Sequence, residues 1–444
     1  MNPPCVMIKA SQSKLGKNQI YMSQGLCQQL SCDTHITITF GRMHQEVSII
    51  PFTSSDYSIM CCKTLLQEWG LFEDETVLRF SSPSKDELLI GPVICVVTEI
   101  KSSLDLFGSI TTFCKEFASL SDLENCFFYV STLDDLLNGT KKGYTLQYNS
   151  WVLQNVPLPN VIHNRIHNRK TEHTAKFQEL TTKAIENEIP FFNAHYLNKW
   201  KVFERLSQTV HLNTYLPDTY QLRCKQDLLD ALSSYQTIFL KPIHGSQGKH
   251  IFKIAHVNEQ YHLDYTTIGH EYKKEYDSAH DVFETLFHTL KKQGFIIQEG
   301  IDLQTYKGCP FDFRILCHKH SHSKWKVTSV ITRVSQRGCF VSNVARGGEI
   351  YSPKHILTSL YDEHTAKHII ALLKEIALEI CINLPYQDEI YAEFGIDLAI
   401  DANGQPWIIE VNTKPSKQSD EASQTIRPST KALMNYCLTI TRFH

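Results

Sequence analysis

The chain has 444 residues, 42% of them hydrophobic, which is enough for several packed domains, and its formal net charge of −3 offers no basic surplus for nucleic acid or an acidic membrane surface. No apolar run reaches the roughly 18 residues of a membrane span, and the opening M-N-P-P-C-V-M-I-K-A lacks a secretory hydrophobic region, so a cytoplasmic protein without a transmembrane segment or nucleic-acid partner is expected. The 14 cysteines contain no C-x-x-C, and reduced thiols are expected rather than a disulfide framework.

Residues 1–87 read as short strands separated by turns, among them His35–Phe40, Glu46–Ile50 and Thr76–Phe80, and predict a β-rich N-terminal domain. Ser82–Lys85 (S-P-S-K) reads as a linker. From Leu89 the run L-I-G-P-V-I-C-V-V-T has the near-continuous apolar character of a buried parallel strand. A helical stretch over Ser109–Leu120 and an apolar strand over Asn125–Ser131 follow, predicting a small α/β unit over 88–190. Within it, Ile162–Arg169 repeats I-H-N-R, and Arg165, Arg169 and Lys170 read as an anion-facing loop.

Asn198-Lys199-Trp200-Lys201 opens a helix, and Gln226–Tyr235 is another. Strand Thr237–Lys241 leads through P-I-H-G-S-Q-G-K to a second strand, His250–Ile254. A Gly-rich hairpin of this kind can lay backbone N–H groups over phosphates, although its spacing is not that of a P-loop. Ala279–Gln293 is amphipathic, with Val282, Phe283, Leu286, Phe287 and Leu290 on one stripe. Phe295–Glu299 and Phe311–Cys317 read as strands, the second with Asp312 and Arg314 on one face. His318, His320 and His322 read as an exposed loop rather than a zinc site. Ser342–Gly348 (S-N-V-A-R-G-G) is a polar turn whose Arg346 is available to a γ-phosphate or a carboxylate, and His364–Ile380 is a helix.

The most informative stretch is Asp397–Lys417. Asn403-Gly404 signals a two-residue type I′ hairpin between alternating apolar residues. Such a turn pairs Ala402 with Gln405 and, further out, Asp397 with Glu410, while Asn412 shares the face of Glu410. Facing carboxylates repel. A hard divalent cation offsets that repulsion, and two acids with an amide oxygen suit Mg2+.

The ordered motifs N-K-W-K (198–201), F-L-K-P-I-H-G-S-Q-G (239–248), I-I-Q-E-G-I-D-L (296–303), F-D-F-R (311–314), S-N-V-A-R-G-G (342–348) and I-D-L-A-I-D through E-V-N-T-K-P-S-K (396–417) resemble the ATP-grasp superfamily, specifically the YheC/YheD family of endospore coat-associated proteins. The resemblance implies an α+β ATP-grasp fold, two α+β subdomains gripping ATP, over residues 191–444. A pre-ATP-grasp-like α/β unit would occupy 88–190, after the β-rich domain at 1–87. By the same resemblance Lys199 and Lys241 touch the ATP phosphates, beneath a flexible loop containing Gly245, Ser246 and Gly248. Gln298, Glu299 and the backbone of Ile301 line the adenine, Asp312 contacts ribose, and Asn343 and Arg346 approach the phosphate end. Lys241 and Arg346 are the implied catalytic cations; Asp397, Glu410 and Asn412 would hold one magnesium ion or two; and Arg165, Arg169 and Arg314 would meet the substrate.

The implied activity is an ATP- and Mg2+-dependent ligase that joins a carboxylate to an amine or thiol through an acyl phosphate, linked to the spore coat or envelope and its components. The alternatives are a nucleotide-binding coat or assembly protein with little turnover, and a phosphotransferase using the same cradle. The chain departs from the superfamily pattern at three positions. Gly395 stands where many ligases carry an arginine, Ser416 replaces the glycine of E-V-N-x-x-P-G, and Val341 precedes S-N.

Overall fold

Apolar alternation makes strands of residues 5–91, and these strands close on themselves. They are β1 (Cys5–Ala10), β2 (Gln19–Ser23), β3 (His35–Phe40), β4 (Met43–Phe52), β5 (Ser58–Cys61), β6 (Glu75–Ser84) and β7 (Glu87–Gly91). The barrel order is β1-β5-β2-β4-β3-β7-β6, and β6 pairs back to β1. Closure removes the strand edges that would otherwise template aggregation. The computed structural model describes all residues except 1, 2, 33, 72–74, 103, 104, 140, 246–249, 267–270, 322, 338–347, 388, 418–424 and 444, and every count refers to the described residues.

The linker expected at Ser82–Lys85 is instead the β6–β7 hairpin, where Ser84 pairs with Glu87. The apolar run from Leu89 is therefore two strands in two sheets. Leu88, Leu89 and Ile90 complete the barrel beside β3, and Pro92, which has no N–H for a ladder, separates them from β8 (Val93–Val97). Apolarity alone does not show where one buried strand hands over to the next.

β8 begins a second sheet with β9 (Phe127–Ser131), β10 (Lys142–Gln147), β11 (Ser150–Asn155), β12 (Val161–Asn164) and β13 (Phe191–Phe192), ordered β11-β10-β9-β8-β12-β13. Its β9, β8, β12 and β13 are parallel, and every residue of β8 is buried because both faces are covered. Helix Ala175–Glu186 supplies Phe177 and Leu180 to one face. Helix Thr111–Leu123 supplies Phe113 and Phe117 to the other, together with Leu433, Met434 and Cys437 of the distant helix Pro428–Ile440.

The third sheet is antiparallel and contains β14 (Thr219–Leu222), β15 (Thr237–Pro242), β16 (Phe252–Val257), β17 (Gln260–Thr266), β18 (Glu271–Tyr276) and β19 (Phe295–Glu299), ordered β14-β19-β15-β16-β17-β18. Helices Lys225–Ser234 and Ala279–Leu290 bury Leu228, Val282 and Leu286 against it.

The fourth sheet holds β20 (Thr305–Tyr306), β21 (Cys309–Lys319), β22 (Trp325–Val334), β23 (Glu349–Tyr351), β24 (Glu393–Ile400) and β25 (Pro406–Asn412), ordered β23-β22-β21-β24-β25 with β20 beside β21. Helix Glu363–Asn383 packs Ile369, Leu373, Ile376 and Ile380 against Phe394, Ile396 and Leu398 of β24. The period of two leaves Glu393, Gly395 and Asp397 for the opposite face, where the chemistry lies. Among the described residues, no helix is long and apolar enough to cross a membrane.

Candidate active site

The β24–β25 hairpin turns differently from the two-residue I′ form. Gly404 takes φ +82°, but Asn403 does not share a positive φ, and Asp401 and Gln405 form the last pair through Asp401 N–H to Gln405 O at 3.0 Å. The result is a three-residue loop closed by a left-handed glycine. The Asp401 carboxylate secures it by accepting from the N–H groups of Asn403 and Gln405 at 2.9 and 3.0 Å. This loop shifts β25 by one residue, so Leu398 faces Ile408. A bulge between Asp397 and Leu398 takes the shift out again, and Asp397 faces Glu410 while Gly395 faces Asn412.

Each of the two acids has its own cation. Asp397, 5% exposed, receives Arg314 through both carboxylate oxygens and Arg333 Nη2 at 3.1 Å. Burial pushes the Asp397 carboxyl up, but Arg314 and Arg333 outweigh it and hold it below the ordinary range. Arg333 also forms a fork with Asp312, both contacts at 2.6 Å. Burial opposes its charge, yet Asp397 and Asp312 raise its pKa further. Glu410 instead pairs with Lys199 Nζ at 2.6 Å. Repulsion between facing acids is therefore relieved by side chains, a possibility the hairpin pattern by itself does not reveal.

Opposite β25 stands the third sheet. Lys199 begins helix Lys199–Ser207, whose N-terminus is capped by the Asn198 side chain accepting from Lys201 N–H at 2.8 Å. Its ammonium reaches Gly245 O at 3.3 Å as well as Glu410, so it links the loop after β15 to β25. Lys241 projects from β15 and donates to Gln298 Oε1; Gln298 in turn donates to Thr219 Oγ1 at 3.0 Å. Burial, then the Lys199 charge, push the Lys241 amine down to about 8 against the pull of Glu410 and Asp397. A cleft lies here, lined by Arg169, Lys199, Lys241, Gln298, Glu410 and Asn412 among others.

Other expected site residues lie elsewhere. Glu299 is at the end of β19, where its N–H bonds to Asp218 O at 2.8 Å, whereas the Ile301 N–H has no hydrogen-bond partner among the described residues. Asp312 turns both oxygens to Arg333 rather than to the cleft. Arg314 is engaged by Asp397. Ser246, Gly248, Asn343 and Arg346 fall outside the described residues. Gly395 has no room for the arginine found there in many ligases, because a Cβ would lie 2.7 Å from Pro415 Cβ.

Arg165 is not part of an anion-facing loop. It is 2% exposed and donates to Glu393 Oε1 at 3.0 Å and to Pro415 O at 2.9 Å. His163 Nε2 meets the same Glu393 at 3.1 Å, and Lys417 takes its other oxygen. His318 is likewise buried on β21 rather than in an exposed loop, 3.6 Å from Glu393. Burial lowers the His163 pKa to about 4, so it is neutral and donates. Burial raises the Glu393 carboxyl, but Lys417 and Arg165 dominate and hold it well below its ordinary value. Sequence reading missed Glu393. The available signal was the i,i+2 spacing of His163 and Arg165, which places both on one face of a strand.

Among the described residues, no three His, Cys, Asp or Glu side chains converge as a metal site. Asp397, Glu410 and Asn412 carry the oxygen donors that Mg2+ takes, and the ladder sets Asp397 opposite Glu410, but both acids are engaged by cationic side chains. An ion bound there would have to displace Lys199 from Glu410, and Arg314 and Arg333 from Asp397.

A YheC/D like ATP-grasp family profile matches residues 188–440. The chain is 27% identical over 338 residues to endospore coat-associated protein YheD of Bacillus subtilis (strain 168), covering 74% of this chain and 73% of that protein. It is 23% identical over 296 residues to endospore coat-associated protein YheC of the same organism, covering 64% and 78%. Among solved structures, D-alanyl-alanine synthetase A from Vibrio cholerae O1 biovar eltor str. N16961 is 12% identical with a TM-score of 0.46, over 80% of this chain and 96% of that one.

Proposed function

Because the chain belongs to the YheC/D like ATP-grasp family, we propose that it is an ATP- and Mg2+-dependent ligase that joins a carboxylate to an amine or thiol through an acyl phosphate. The observation that carries this reading is the single ammonium of Lys199 joining Gly245, in the loop after β15, to Glu410 of β25, at 3.3 and 2.6 Å. A nucleotide triphosphate entering between the sheets replaces that bridge with its own charges.

Lys199 and Lys241 hold the phosphates and spread their negative charge. Asp397, Glu410 and Asn412 would hold magnesium, which when bound supplies charge neutralisation on the phosphate oxygens. Arg314, released from Asp397, turns its fork to phosphate. A substrate carboxylate oxygen attacks the γ-phosphorus, the bond to the bridging oxygen breaks, and ADP leaves. The acceptor nitrogen or sulfur then attacks the acyl carbon and loses its proton as phosphate departs. No protein nucleophile is required, because phosphoryl transfer depends chiefly on positioning and electrostatics.

The names of the two Bacillus subtilis relatives support a site of action at the spore coat or envelope. The ion pairs on both acids favour a second reading, a nucleotide-binding assembly protein with little turnover. The test is a screen of carboxylate and amine metabolites with Mg2+-ATP. Carboxylate-dependent ADP release, with hydroxamate formed when hydroxylamine replaces the acceptor, is the expected result. Nucleotide binding with no carboxylate-dependent ADP release across the screen supports the second reading.

A further inference from the structure

Arg169 is a cation that the phosphate chemistry leaves unused. It lines the cleft with Lys199, Lys241, Glu410 and Asn412, but has no carboxylate partner among the described residues. Its guanidinium lies over the Tyr196 ring, 4.7 Å from the centroid. Lys414 Nζ is also close to this ring, at 4.4 Å, but Lys414 is neutralised by Glu172. Two cations on one ring repel, and Arg169 alone has no counter-ion there.

The loop that presents Arg169 is held from both ends. The two carboxylate oxygens of Glu99 accept from the N–H groups of His167 and Asn168 at 2.9 and 3.0 Å. Buried Glu172 accepts from Tyr196 N–H at 2.9 Å while it pairs with Lys414. Guanidinium and ring are thus positioned separately, each by a carboxylate tied to main chain. Such preorganisation at an unneutralised charge marks a binding surface.

We propose that Arg169 on Tyr196 is the docking point for a carboxylate of the substrate, and that this carboxylate is distinct from the reacting one. A guanidinium stacked on a ring keeps its N–H edge free for two parallel bonds to a carboxylate. A carboxylate gripped in that way has its lone pairs engaged and is a poor nucleophile. The substrate class is therefore an acid with a second carboxylate, either a free diacid or an acidic peptide. The word "substrate" rests on the ligase reading; the anion site itself does not.

Succinate, its uncharged analogue succinamide, and N-acetyl-glycyl-glutamate serve as probes. Each is added to the full chain with Mg2+-ADP and followed by saturation-transfer NMR, and Mg2+-ADP affinity is measured by calorimetry. Succinate or the peptide should saturate in the wild type and succinamide should not; the stronger of the two shows whether the acid is free or chain-borne. Arg169→Gln should weaken that binding roughly tenfold or more, with Mg2+-ADP affinity and melting temperature unchanged, and Arg169→Lys should recover part of it. Equal saturation in wild type and Arg169→Gln, or no acid-specific saturation in the wild type, overturns the subsite. If Mg2+-ADP itself does not bind, the nucleotide reading fails, and the acid arms, run without nucleotide, still decide the subsite.

Discussion

Lys241 shows how one residue's environment becomes a measurable property of binding. Its amine is pushed down to about 8 by burial and by Lys199. Above that pH the free protein is losing the proton, whereas bound phosphates favour the charged form. Nucleotide binding at pH 8.5 should therefore take up a proton, and affinity should fall as pH rises through this range. Calorimetry in buffers of different ionisation heat measures the uptake directly. Lys241→Met should abolish it and lower ATP affinity by about 1.5–3 kcal/mol, roughly ten- to a hundredfold. Unchanged affinity in a folded variant would remove Lys241 from the site. At this scale the lysines were legible because each stands in a short motif. Arg333 was not, because its contact with Asp397 depends on how β22, β21 and β24 lie beside one another.

At the scale of elements, the hairpin is instructive because its pairing was correct for an incomplete reason. Loop and bulge each move the register by one residue, in opposite senses, so Asp397 meets Glu410 regardless. Helices with a clear apolar stripe, such as Ala279–Leu290, were readable from the side chains alone. The change of sheet at Pro92 and the burial of Arg165 and His318 were not, since both depend on partners far away in sequence. The ion pairs divide the two acids into unequal roles. Asp397→Asn leaves Arg314 without its buried carboxylate and should cost about 3–5 kcal/mol even without nucleotide, toward the lower figure because Arg333 keeps Asp312. Glu410→Gln, at a pair with 15% and 29% side-chain exposure, should cost less than about 1 kcal/mol. Both variants should gain less melting temperature than wild type from Mg2+-ATP. Equal gains in all three proteins would place the metal elsewhere.

At the scale of the whole molecule, Glu393 ties the second sheet to the fourth. His163 reaches it from β12, Arg165 from the residue just after β12, His318 from β21, and Lys417 from the chain beyond β25. Glu393→Gln leaves Arg165 and Lys417 buried without their common counter-ion, and a loss of about 3–5 kcal/mol is expected. Denaturant unfolding measures it, and a loss below about 1 kcal/mol would mean that the network is dispensable. The return of helix Pro428–Ile440 to the second sheet has a consequence for biosynthesis. Leu433, Met434 and Cys437 cover Ile94, Val96 and Phe113, yet they leave the ribosome hundreds of residues later. At typical elongation rates that delay is on the order of tens of seconds. Throughout it, the nascent chain carries an uncovered greasy face, while Arg79, whose guanidinium will hold the Phe443 carbonyl at 2.8 Å, has no such acceptor yet. A premature stop just ahead of Pro428 would therefore release a polypeptide that keeps Lys241, Asp397 and Glu410 but bears a permanent invitation to aggregate.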